Sequence, residues 1–142
     1  MEPLAPGKYS VSDEAGVLAA NGAFYAAFAD GDFGAMDGLW ARKAPVACVH
    51  PGWPSMQGRE KVIGAWQGIL QNPPRPAIRP FGEHVMMLGD VGVVVGFEII
   101  GNVTLVATNI FVREDGAWRM VHHQAAITDR TPGSADARRS LH

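Results

Sequence analysis

The chain has 142 residues, 47% of them hydrophobic, and a formal charge of −2, which is enough for one globular domain with its own core and calls for no second one. Charges of both signs are mixed along its length, so it carries no basic footprint for nucleic acid and none for an anionic membrane. The single cysteine, Cys48, excludes an internal disulfide and, with no export signal and no apolar span approaching ~20 residues, makes the cytoplasm the expected location.

Residues 1–11 are expected to form an N-terminal arm. Ser10 and Ser12 with Asp13 and Glu14 offer an N-cap and an acidic first turn. Val17, Asn21, Phe24 and Phe28, flanked by Leu18 and Tyr25, then recur at helical spacing, which predicts a helix over about 13–30. Gly31 stops it, and Phe33, Met36, Leu39 and Trp40 point to a short second helix weakened by Gly34 and Gly38. Val46 to Val49 has the pattern of a short buried strand, closed by His50-Pro51-Gly52 because proline cannot donate to a ladder and glycine permits a turn. Arg59 to Gln71 predicts a third helix with Val62, Ile63, Trp66, Ile69 and Leu70 on one face, ended by Asn72-Pro73-Pro74.

Beyond that point the period changes. Segments 77–88, 91–100, 103–113 and 117–127 are rich in Val, Ile, Thr, Phe and Trp and are separated by Gly89-Asp90, Gly101-Asn102 and Glu114-Asp115-Gly116, which predicts an antiparallel meander. The last residues, 129–142, have almost nothing to bury and are expected to be a mobile tail. The fold class expected is α+β: one domain over 12–128, with three N-terminal helices on the concave side of a curved, mostly antiparallel sheet.

That order of elements, with FYAAFADGDFGAM, VACVHPGW, GREKVIGAW and REDGAWRMVHHQ, resembles the nuclear transport factor 2-like superfamily, and within it the SnoaL-like proteins. The resemblance spans roughly residues 12 to 127. It implies a cystatin-like, cone-shaped fold with a pocket and a homodimer formed through the outer face of the sheet. The superfamily includes ketosteroid isomerases, polyketide cyclases, dehydratases and the calcium/calmodulin-dependent kinase association domain, so the resemblance implies a pocket and not a reaction.

In the isomerases the residue before the equivalent proline, at the end of the same short strand, is the carboxylate that moves the proton. His50 stands in that place, and a histidine is suited to proton transfer because small shifts carry its pKa across the neutral range. The competing role for His50 is a strand-end cap that donates to a nearby carbonyl and packs on Pro51 or Trp53. The isomerase's pocket tyrosine corresponds to Phe24, with Tyr25 one residue away, which leaves the expected position without a neutral donor for an enolate oxygen.

Adjacent side chains on a strand point to opposite faces, so only one of His122 and His123 can share a pocket with His50. Comparison with the kinase association domain implies that His123 and Asn109 point inward, with Ala125 and Asn109 where that domain carries arginines. His122 is then an outer-face residue at a subunit interface. Glu98, in the apolar run VGVVVGFEII, must find a partner or be raised in pKa if it faces the core, and is cheaply placed only on a solvent or interface face. Trp53, Trp66 and Phe28 are expected in the core first and as cavity walls second. Arg59 and Glu60 are expected at the surface.

His50, His84, His122 and His123 lack the spacing of a zinc site, and no phosphate cradle, nucleophile elbow or activated thiol is visible, so neither metal nor cofactor is expected. The function expected is binding of a small apolar or carbonyl-containing ligand, with isomerase, cyclase or dehydratase chemistry carried by His50 and His123. Trp53, Trp66, Asn109, Tyr25, Phe28 and Glu98 are the candidate ligand contacts. The alternative is a non-catalytic ligand-binding or self-association module.

Overall fold

Helix α1 (Val11–Asp30) turns Val17, Asn21, Phe24, Tyr25 and Phe28 to one buried stripe, the 3.6-residue period at work. Residues 11–129 are described by the computed structural model, so the arm over 1–10 with Ser10, and the tail from 130 onward, lie outside the described residues. The helix starts at Val11, about two residues before its expected start, which places Ser12 in the first turn and not at the cap. Asp13, in that same turn, pairs with Arg113.

The C-terminus of α1 is closed by Gly31 at φ 63: its N–H donates to Phe28 O (3.2 Å), and the N–H of Asp32 donates to Ala27 O (2.9 Å). This left-handed glycine cap supplies the helix's last carbonyls with donors. Asp32 then caps helix α2 (Phe33–Leu39), its Oδ1 accepting from the N–H of Ala35 at 3.0 Å. Strand β1 (Ala47–Val49), a two-residue strand β2 (Met56–Gln57), helix α3 (Arg59–Gln71), and strands β3 (Ile78–Leu88), β4 (Val91–Ile100), β5 (Val103–Glu114) and β6 (Ala117–Thr128) complete the order.

The six strands form one sheet ordered β2-β1-β6-β5-β4-β3, antiparallel throughout except where β1 runs parallel to β6. Three helices pack on one face, giving an α+β cone. The ladder has register shifts between Phe81 and His84 and between Ile110 and Phe111, where bulges bend the strands. Gly92 brings α1 close to β4: a Cβ built there would lie 2.5 Å from Val17 Cγ2.

Arg59 corrects its expected surface placement. It is half-buried, donating to the carbonyl oxygens of Trp40 (2.9 Å), Ala41 (3.1 Å) and Asp37 (2.8 Å) and to the Asp37 carboxylate (2.5 Å). One guanidinium thus satisfies the open C-terminal carbonyls of α2 from the first turn of α3. Glu114 plays a comparable part, accepting the backbone N–H groups of Arg42, Lys43 and Ala44 at 2.7 to 2.9 Å, which ties the approach to β1 onto the β5–β6 hairpin.

On β4 and β5 the helix-facing positions are Gly92, Val94, Gly96 and Glu98, paired with Phe111, Asn109, Ala107 and Leu105. The opposite face carries Val91, Val95, Phe97, Ile99, Val106 and Ile110, all half-buried. Among the described residues no helix is long and apolar enough to cross a membrane.

Candidate functional site

Strand β1 pairs Cys48 with His123, and His50, two residues on, projects to the same side of the chain. The rings of His50 and His123 come to 6.2 Å between centroids. After His50 the chain turns at Pro51-Gly52, where Gly52 adopts φ 78 and the N–H of Trp53 donates to His50 O at 2.9 Å. That turn folds the Trp53 ring edge-on to His50 at 4.9 Å between centroids, and Trp66 of α3 meets the same imidazole edge-on at 4.7 Å. Trp66 also meets Phe24 and Phe28 edge-on, and its Nε1–H has no acceptor among the described residues, so its position is set by ring packing.

These groups bound a cavity of about 280 Å³. Its walls are mostly apolar, from Phe24, Phe28, Trp66, Ile69, Ile78 and Ile100. Its polar groups are Tyr25, His50, Glu98 and His123, and among the described residues no lysine or arginine lines it. Trp53 corrects an expectation: it is 46% exposed and stands at the cavity's edge, because the Gly52 turn carries it out of the core.

Glu98 is 2% exposed and accepts the Tyr25 hydroxyl at 2.5 Å. The donor that sequence comparison finds missing at Phe24 is therefore supplied one residue later. Asn109 corrects a second expectation, since it does not line the cavity but lies buried behind it. Its Nδ2 is 2.8 Å from Asn21 Oδ1 and 3.3 Å from the Tyr25 hydroxyl, and its Oδ1 is 2.6 Å from His123 Nδ1. Two N–H groups with two acceptors fix the amide. Reversing it would leave one buried N–H without an acceptor, a cost of about 1–3 kcal/mol. His123 is thereby the donor to Asn109, with its proton on Nδ1, and its Nε2 keeps a lone pair with no protein partner among the described residues.

Burial sets the charge of the site. Desolvation lowers His50 to about 4 and His123 to about 3, the latter helped by the neighbouring His50 and His122. Both rings are neutral at pH 7. Desolvation raises Glu98 despite the opposing hydrogen bond from Tyr25, and raises Tyr25 through burial and the nearby Glu98. Cys48 is pushed up to about 12 by burial, so it stays a thiol, with Sγ 3.7 Å from His50 Nε2.

The structure thus brings His50, His123, Tyr25, Phe28, Glu98, Trp53 and Trp66 to one cavity, with Asn109 behind it. His122 pairs with Ile110 on the opposite face, and His84, paired with Val95, is exposed there. Among the described residues no three histidine, cysteine or acidic side chains converge as metal ligands. Asn21 is the site residue that sequence reasoning passed over; a polar residue inside an apolar helical stripe was its signal.

The sequence profile of the SnoaL-like domain family matches residues 17–130. A solved structure from Streptomyces avermitilis, a candidate dehydratase of the NTF2-like family, is 30% identical, with a TM-score of 0.75 over 84% of this chain and 98% of that one. A candidate calcium/calmodulin-dependent protein kinase type II association domain from Thiobacillus denitrificans is 31% identical, with a TM-score of 0.66 over 90% of this chain and 100% of that one. Among curated proteins, F-box protein SKIP8 of Arabidopsis thaliana is 24% identical over 113 residues, 78% of this chain. The chain spans about half (49%) of the length of that relative.

Proposed function

This chain belongs to the SnoaL-like domain family, and from that membership and the chemistry of its cavity we propose that it binds an uncharged, largely apolar carbonyl compound and acts on it by proton transfer, as a cofactor-independent isomerase, cyclase or dehydratase. The observation that carries this reading is the meeting of two neutral histidines and a Tyr25–Glu98 pair in one apolar cavity. The 30% identical candidate dehydratase supports it.

In this mechanism neutral His50 takes a proton from the carbon beside the ligand carbonyl. The negative charge that develops on the carbonyl oxygen is met by the Glu98 carboxyl in its protonated form, which burial favours and which Tyr25 holds in place. A resting pKa of about 4 makes His50 a weak base in the empty cavity. An enolate forming a few ångström away stabilises the imidazolium, and the apolar walls strengthen that attraction by excluding water. His123, fixed by Asn109, orients the ligand. The outer face of the sheet, apolar on β4 and β5, supports self-association into a homodimer, a property this reading shares with an assembly module.

The test is a thermal-shift screen of ketones and lactones, with small aromatic acids as the charged comparison, followed by turnover of any compound that binds. His50→Asn keeps a hydrogen-bonding side chain and removes titration. It should leave binding within a fewfold of wild type and abolish turnover together with its acid pH limb. Turnover that survives with an unchanged pH profile makes His50 a strand-end cap and gives the proton transfer to another group, whereas a wild type that binds without turnover is a non-catalytic binding module.

A further inference from the structure

Resting on the reading of this cavity as a small-molecule site, we infer that its ligand is a neutral hydroxy-carbonyl compound, whose hydroxyl donates to His123 Nε2 and whose carbonyl accepts from Glu98, and that carboxylates are turned away. The inference follows from the direction of one buried hydrogen-bond chain. Asn21 Oδ1 and the Tyr25 oxygen take the two N–H groups of Asn109, and Asn109 Oδ1 takes the proton of His123 Nδ1. At the other end Tyr25 donates to Glu98 Oε2. Every bond in the chain has a set direction, so its two ends have set polarities.

At the His123 end the cavity is offered an acceptor, the Nε2 lone pair. At the Glu98 end Oε2 accepts the Tyr25 hydroxyl, so in the protonated carboxyl, the form that burial favours, the proton sits on Oε1, which is then a donor with no protein acceptor among the described residues. A ligand complementary to both must carry one donor and one acceptor. A plain ketone satisfies Glu98 and leaves Nε2 unpaired in a desolvated site. A carboxylate finds, among the described residues, no lysine or arginine in the lining to offset the loss of its hydration, so it is disfavoured even where it also carries a hydroxyl. Sites built around a substrate hydroxyl discriminate strongly against analogues that lack it, because the unpaired polar group remains buried.

The test uses the wild-type chain at neutral pH and two measurements. Long-range proton–nitrogen correlation on protein labelled with nitrogen-15 reads which ring nitrogen of His123 carries the proton; Nδ1 is expected, and a proton on Nε2 overturns the proposal. Calorimetry then compares meta- and para-hydroxyacetophenone with acetophenone, with the corresponding methoxyacetophenones and with the corresponding hydroxybenzoates. At least one hydroxy ketone is expected to bind about tenfold or more tighter than acetophenone and its own methoxy analogue. The hydroxybenzoates are expected to show no binding. Equal affinity of hydroxy, methoxy and unsubstituted ketones overturns the hydroxyl requirement while leaving the cavity a ketone site, as does tight hydroxybenzoate binding for the exclusion of acids. No binding of any ketone removes the small-molecule reading itself and this proposal with it.

Discussion

Tyr25 on α1 and Glu98 on β4, 73 residues apart, are joined by a buried hydrogen bond of 2.5 Å at the cavity wall. Tyr25→Phe keeps the ring and deletes the hydroxyl, leaving Glu98 without a protein donor. The variant is expected to lose about 1–3 kcal/mol of stability in denaturant unfolding. It should also raise the Glu98 pKa further, because the tyrosine bond is what lowers it. An unchanged midpoint would show that the pair contributes nothing net.

Glu98 makes stability depend on pH from the alkaline side. Its folded pKa is raised by burial above the ordinary 4.5, so the fold binds this proton more tightly than the unfolded chain does. The contribution is complete below about 4.5 and is lost as pH rises toward the folded value. Glu98→Gln retains an acceptor for Tyr25 and removes the charge. Relative to wild type it is expected to be more stable at pH 8 than at pH 4, by denaturant midpoint; a difference that does not change with pH would sink the assignment.

The histidines act with the opposite sign. His50 and His123 are lowered to about 4 and about 3 from 6.5, so the unfolded chain takes up protons that the fold refuses. Stability is unaffected above about pH 6.5 and falls below it, each ring adding up to about 1.4 kcal/mol per pH unit until its folded pKa is reached. His50→Asn should flatten part of this acid limb between pH 6.5 and 4. A wild-type midpoint that stays level across that window counts against neutral buried rings.

The outer sheet face is expected to join two copies of the chain, seen as a dimer by light scattering at micromolar concentration. Phe97 and Val106, paired across β4 and β5, lie on that face. Val106→Asp, which places a charge there, is expected to give a monomer with its secondary structure intact. A monomeric wild type ends the idea.

Gly92→Ala tests how closely α1 rests on the sheet. The added methyl would meet Val17 Cγ2 at 2.5 Å. Overpacking of this kind costs about 1–3 kcal/mol, and Val17→Ala in the same chain should recover much of it. Additive losses in the double variant would place the strain elsewhere.

Much of the architecture was legible because local chemistry announced it. Gly31, Gly89, Gly101 and Gly116 take positive φ at the breaks they were expected to mark, and α3 has the expected bounds. Strand β2 was not legible, since two residues carry no period. The face of Glu98 was ambiguous for a specific reason: positions 91, 93, 95, 97 and 99 are Val, Val, Val, Phe and Ile on the side away from the helices, while positions 92, 94, 96, 98 and 100 on the helix side are Gly, Val, Gly, Glu and Ile. The more continuous apolar row therefore faces away from the helices, against the usual correspondence of apolar with inward. Arg59 was misplaced, and Asn109, which faces inward as expected, was taken for a ligand contact, because their partners, the end of α2 and the Tyr25 hydroxyl, are distant in sequence.

The parallel pairing of β1 with β6 sets residues 47–49 beside residues 122–124, and the cavity draws on α1, the turn after β1, α3, β4 and β6. Such a site has a high contact order, and during synthesis it cannot close until the last strand has left the ribosome. A nascent chain ending at Glu114 holds Tyr25, His50, Trp66 and Glu98 and the β1–β2 pair, but lacks β6, which carries His123 and joins that pair to the rest of the sheet, so His50 and His123 come together only once β6 is in place.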